Sequence, residues 1–154
     1  ILIRQEDMLT EKKKVVLLSY LGIIPFYSGI FIHFVSYFYN LKFYQQINLI
    51  SFLYGGLISS FLCGMQWIKF IELKRRFLYI PMIPSIVLWI SFFFSEKIFF
   101  QLTVILSLLW CLYIDISILK NENKQWFKKM RIIITIAAIL PLICNLFINK
   151  INEI

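Results

Sequence analysis

Five apolar runs, each long enough to cross a bilayer, constrain this chain more than any other feature. They extend from Val15 to about Tyr39, about Ile47 to Phe70, Phe77 to Phe94, Ile98 to Leu119 and Ile132 to Ile148. A spanning helix needs about 17–25 predominantly apolar residues, and all five runs qualify. Hydrocarbon cannot satisfy backbone N–H and C=O groups, so such runs must be helical. The chain has 154 residues, 60% of them hydrophobic and only 16% charged. A soluble domain carries about 25% charged residues, and one this small cannot hide so much apolar surface. The fold class is therefore all-α, an integral membrane bundle of five transmembrane helices. A surface N-terminal segment, 1–14, precedes a single transmembrane domain, 15–148, and a short tail, 149–154, follows it.

The positions of lysine and arginine orient the bundle. Arg4, Lys12, Lys13 and Lys14 precede the first run; Lys69, Lys74, Arg75 and Arg76 join the second to the third. Lys120, Lys124, Lys128, Lys129 and Arg131 join the fourth to the fifth, leaving only Lys42, Lys97 and Lys150 for the other face. Basic residues concentrate on the cytoplasmic or matrix side, so five alternating spans place the N-terminus there and the C-terminus opposite. Adding or removing one span would scramble the pattern.

The net charge of +8 would suggest nucleic acid in a soluble protein. Here the cations flank apolar runs, so anionic lipid, cardiolipin included, is the expected partner and nucleic acid is not. Lys74, Arg75, Arg76, Lys128 and Lys129 are the expected headgroup contacts.

No catalytic constellation emerges. Cys63, Cys111 and Cys144 lie in apolar runs without metal-ligand spacing and read as small buried hydrophobes. His33 is the only histidine, so the chain alone cannot supply a pair of axial haem ligands; no cofactor or metal site is expected. Trp67, Trp89, Trp110 and Trp126 read as interfacial or lipid-facing aromatics. Pro25, Pro84 and Pro141 fall inside runs and predict kinks, with Pro81 nearer the start of the third.

Two structural constellations stand out. Gly56, Ser60 and Gly64 recur every four residues in the second run, a smooth stripe that lets another helix approach closely. Packing within the chain is the first expectation, a neighbouring subunit the second. Asp115, late in the fourth run, and Arg131, at the start of the fifth, share a depth near the basic face. A carboxylate there seeks a cation, and arginine offers a forked donor, so an Asp115–Arg131 structural ion pair is expected. A proton site at Asp115 is the alternative reading. No acid lies mid-membrane, which weighs against a proton-coupled pump.

Several segments together resemble a known family. They are Leu21-Gly22-Ile23-Ile24-Pro25-Phe26, Ser60-Phe61-Leu62-Cys63-Gly64-Met65-Gln66-Trp67, Pro84-Ser85 with Trp89, then Asp115, Trp126, Arg131 and Thr135. Their order and spacing are similar to the five-helix membrane family of unknown function that includes transmembrane protein 69, found in mitochondria and bacteria. The resemblance implies a five-helix fold in the mitochondrial inner membrane, or a bacterial inner membrane, and supplies no activity. In mitochondria the basic side would be the matrix. The family pattern carries His before the second-run Trp, where this chain has Gln66, and that departure favours a structural role.

The expected function is a non-catalytic accessory subunit or assembly factor of a larger inner-membrane complex, most plausibly of the respiratory chain, contributing helix packing and structural lipid binding. A small oligomeric transporter or channel is the alternative. A quinone- or lipid-processing enzyme, built on Asp115, Trp126 and Arg131, is a third.

Overall fold

The computed structural model describes the backbone of residues 2–39, 44–94, 97–119 and 125–152. Side chains are described over 12–35, 38, 49–94, 97–118 and 125–148. Lys42, Lys120, Lys124 and the end of the tail lie outside the described residues, as do the side chains of Arg4 and Lys150.

All the described regular structure is helical: α1 Leu2–Leu21, α2 Ile24–Tyr39, α3 Tyr44–Glu72, α4 Ile83–Phe92, α5 Lys97–Leu119 and α6 Gln125–Asn152, with a 3₁₀ turn, Ile80–Met82, leading into α4. Four stretches are long and apolar enough to span a membrane: Lys12–Val35, Leu49–Glu72, Lys97–Ile118 and Gln125–Ile148. At about 1.5 Å per residue, each exceeds the ~30 Å hydrocarbon thickness. The N-terminal segment is the beginning of α1, without a break at residue 14.

The third run departs from the sequence expectation. It is a shorter apolar helix, Ile80–Phe92, and not a regular helix over 77–94. The prolines explain this: Pro81 and Pro84 both occupy first-turn positions, of the 3₁₀ turn and of α4. A residue without an N–H is suited to a helix start, so Pro84 opens α4 instead of kinking it. Upstream, α3 ends in a Schellman-type cap, in which Lys74 N–H bonds to the Ile71 carbonyl and Arg75 N–H to that of Phe70, both at 3.0 Å. Lys74 takes the left-handed conformation this cap requires, with φ of 48°.

Pro25 has the opposite effect and divides the first span. Ile23 N–H turns back to the Tyr20 carbonyl and Phe26 N–H to that of Ile23, three-residue steps that replace helical bonding between α1 and α2. α2 continues against α3 and α6, whereas α1 leans on α6. Pro141 sits within α6, which runs on as a helix through it.

α3 is the centre of the bundle, packed against α2, α4, α5 and α6. The core gathers Phe26, Phe52, Leu88, Val104, Leu108 and Leu142. Two close crossings set its geometry. A Cβ on Gly55 would meet Val104 Cγ1 at 2.8 Å; one on Gly29 would meet Asn145 Nδ2 at 2.5 Å and Ser51 Oγ at 2.9 Å.

The small-residue stripe packs differently from the first expectation. A Cβ on Gly56 or Gly64 meets nothing within 4 Å, and Ser60 is exposed. The buried register is one residue earlier, at Gly55, Ser59 and Cys63. One residue is about 100° around a helix, so the adjacent register points to the outside. Among the described residues, no neighbouring helix thus closes on the Gly56 and Gly64 positions.

Candidate functional site: a lateral cavity with a polar floor

The divergence of α1 from α3 opens a cavity of about 800 Å³ toward the basic end of the bundle. Its apolar wall includes Leu18, Phe26, Phe61, Leu62, Leu108 and Ala138. Leu18, Phe61 and Met65 at its edge are also exposed, so the opening faces sideways, where lipid would lie. Gln66, Lys69, Asp115, Trp126, Arg131 and Thr135 line its polar part.

Three of these residues are locked together across three helices. Arg131 Nε on α6 donates to Asp115 Oδ2 on α5 at 2.6 Å, with Nη2 at 2.5 Å from the same oxygen. Gln66 Nε2 on α3 donates to Asp115 Oδ1 at 2.8 Å and to the Cys111 carbonyl at 2.7 Å. The Asp115 and Arg131 side chains are 15% and 13% exposed, which places the pair well out of water. Charge-assisted bonds of this length rank among the stronger ones available to side chains. The same α3–α5 seam continues inward as a ladder of small polar groups: Ser59 Oγ and Cys63 Sγ each lie 3.7 Å from Cys111 Sγ.

The structure brings the proposed ion pair together and adds Gln66, which the sequence singled out only as a departure from a family pattern. A buried amide beside a carboxylate on another helix has no sequence signature, because Gln66 and Asp115 are 49 residues apart along the chain. The headgroup candidates divide. Lys74, Arg75 and Arg76 form the exposed α3–α4 connection; Lys129 is exposed and Lys128 half-buried on the first turns of α6. Lys12 of α1 lies over the Trp126 ring at 5.6 Å, so α1 and the start of α6 share the basic end. Cys63 and Cys111 are buried, whereas Cys144 faces outward, which corrects its reading as a buried hydrophobe. Trp67, Trp89 and Trp110 are all exposed on the bundle's outer surface. Among the described residues no group of His, Cys, Asp and Glu is placed to hold a metal.

Residues 11–147 match the model of a family described as protein of unknown function (DUF3429). The chain belongs to this family. It is also 28% identical over 141 residues to transmembrane protein 69 of Xenopus tropicalis, a match covering 87% of this chain and 54% of that protein. The chain thus spans about half the length of this curated relative. No solved structure matches it. Of the residues that carry the family resemblance, Gly22, Phe26, Gln66, Asp115, Trp126, Arg131 and Thr135 are among those that line the cavity, whereas Pro84, Ser85 and Trp89 lie elsewhere.

Proposed function

We propose that the protein acts by binding and not by catalysis, as an accessory membrane subunit or assembly factor that holds an amphipathic lipid in its lateral cavity. The observation that carries this reading is the form of the cavity, apolar along its walls, open sideways and polar at one end. That gradient matches a molecule with one polar end and a long apolar body, and the volume is within the ~300–1,000 Å³ range of ligand pockets. The polar groups at the floor are engaged with one another, with Asp115 accepting from both Arg131 and Gln66. A carboxylate with both oxygens engaged in this way serves as a structural clamp across three helices.

The outward stripe of Gly56, Ser60 and Gly64 supplies the second half of the reading, a face on which a helix of another subunit can approach closely. The assembly favoured is a mitochondrial inner-membrane complex of the respiratory chain, supported by the concentration of basic residues on one face, with cardiolipin or another anionic lipid at Lys74, Arg75 and Arg76. A bacterial inner membrane is the other location compatible with that charge pattern.

Isolation from native membranes in mild detergent tests the proposal. Co-migration with a larger complex on native gels, with lipid retained, is the expected result; Gly56→Leu with Gly64→Leu should release the protein from that complex. A lipid-free monomer under the same conditions would overturn the reading.

A further inference from the structure

The depth of the cavity is that of one leaflet. Its lining runs from Ile58 to Lys69 on α3 and from Trp126 to Ala138 on α6. At about 1.5 Å per residue these stretches rise roughly 16–18 Å, about half of the ~30 Å hydrocarbon thickness. The cavity therefore reaches from the basic surface to near the middle of the membrane, the depth that the acyl chains of a single leaflet occupy. A slot of this depth, open sideways, admits chains from the adjoining leaflet while their headgroup stays at the surface.

The surface end of the slot is cationic. Asp115 and Arg131 cancel each other as a pair. Nearer the surface, Lys69 lines the rim and contacts Glu72 at 2.7 Å, an exposed pair three residues apart. Pairs of this kind contribute little in water, so a phosphate can take the place of Glu72. Lys12 stands one turn before Val15, on the α1 face that lines the cavity, with Nζ 5.6 Å from the centre of the Trp126 ring. A ring attracts a cation without neutralising it, so Lys12 brings its whole charge to the rim. Among the residues with described side chains, Glu72 and Asp115 are the only acids, and each is already matched by a cation. Resting on the reading of the cavity as a lipid site, we propose that its occupant is a two-chain phospholipid with an anionic headgroup, drawn from the leaflet on the basic side. Lys12 and Lys69 supply the cations for its phosphate, and the acyl chains descend along Leu18, Phe61 and Leu108. The site is separate from the exposed α3–α4 connection, whose Lys74, Arg75 and Arg76 do not line this cavity.

The test is native mass spectrometry of the full chain in phosphatidylcholine nanodiscs doped with phosphatidylglycerol or diacylglycerol, with inorganic phosphate as the soluble anion. One phosphatidylglycerol per chain is expected, held about tenfold or more tightly than phosphatidylcholine or diacylglycerol, with no phosphate retained. Lys12→Gln and Lys69→Gln should each weaken that retention about fivefold. Ser19→Trp fills the slot from α1, outside the core, and should expel the lipid. Lys74→Gln with Arg76→Gln should leave it in place. Phosphatidylcholine or diacylglycerol held as well, and expelled by Ser19→Trp, would overturn the anionic headgroup while leaving the cavity reading intact. A preference lost in the Lys74 and Arg76 variant but kept in Lys12→Gln and Lys69→Gln would overturn the assigned rim. Phosphate that displaces the lipid would overturn a phospholipid as the source of the anion. Retention indifferent to Ser19→Trp, or no lipid held by the wild type, would overturn the cavity reading as well.

Discussion

Tyr54 on α3 donates its hydroxyl to the backbone carbonyl of Gly22 at 3.1 Å, within the break between α1 and α2. The helical donor for that carbonyl would be Phe26 N–H, which bonds to Ile23 instead. The tyrosine thus caps an acceptor exposed by the bend that opens the cavity, and its ring packs edge-on against Phe26 at 5.1 Å. Tyr54→Phe keeps the ring and removes the cap. It should cost about 1 kcal/mol of stability in detergent unfolding. Amide exchange should quicken around residues 20–26 and stay unchanged in α5.

The ion pair gives an asymmetric prediction. Removing one member of a buried pair strands the other charge, at a cost of about 3–5 kcal/mol, whereas replacing both by apolar groups is often close to neutral. Arg131→Met should therefore be strongly destabilising, Asp115→Leu comparably so, and the double variant should recover most of the loss. The paired chemical or thermal melts constitute a double-mutant cycle. Additive losses in the double variant would mean that the two residues do not act as a unit.

Gly29 and Gly55 sit at crossings where a methyl group has no room, Gly56 and Gly64 where nothing opposes it. Gly55→Ala forces a Cβ to 2.8 Å from Val104 and 3.3 Å from Phe26, and should destabilise by about 1–3 kcal/mol as an overpacked core. Gly29→Ala should behave in the same way. Gly56→Ala and Gly64→Ala should leave the melt of the isolated protein unchanged or slightly raised, since alanine is the better helix former by about 1 kcal/mol. Thermal melts of the four variants separate the inner register from the outer.

The hydrophobic runs and the basic residues made the spanning helices legible in sequence, because both follow from the bilayer as solvent. The Pro25 bend was legible in the same way. Pro84 was not: proline interrupts a helix or opens one, and only the position of the first turn decides which. The stripe on α3 carried a similar ambiguity. Two adjacent registers of small residues, Gly55-Ser59-Cys63 and Gly56-Ser60-Gly64, occur side by side, and composition does not say which one faces the bundle. The ion pair could be read from matching depths, but Gln66, Ser51 and Asn145 could not. Their surroundings are set by helix crossings, and a polar residue within an apolar run looks the same whether it is bonded or idle.

Cys63 and Cys111 test the register of α3 against α5. Both are buried and free, with their sulfurs 3.7 Å apart, so a small approach is enough to join them. Iodine, an oxidant that enters apolar environments, should convert the two thiols to one intramolecular disulfide, itself reduced to iodide with release of two protons. The expected product is a monomer two hydrogens lighter, with faster migration on a non-reducing gel, abolished by Cys63→Ser or Cys111→Ser and unaffected by Cys144→Ser. Cross-linking that requires Cys144 would mean that the α3–α5 register is different.

Lys74 should be worth more as glycine. It occupies the position after the end of α3 where the cap needs φ near 48°, a conformation that costs an L-residue roughly 1–2 kcal/mol and costs glycine almost nothing. Lys74 is also exposed, so replacing it disturbs no packing. Lys74→Gly should raise stability by about 1 kcal/mol, partly offset by the greater entropy of glycine in the unfolded chain. Lys74→Ala removes the same charge but keeps the strain, and should show no such gain. The difference between the two variants in a detergent melt isolates the backbone contribution, and equal stabilities would mean that α3 does not end in this cap. The proposed headgroup contact is read from binding of the same variants to cardiolipin vesicles: both should weaken it equally, because both lose one cation.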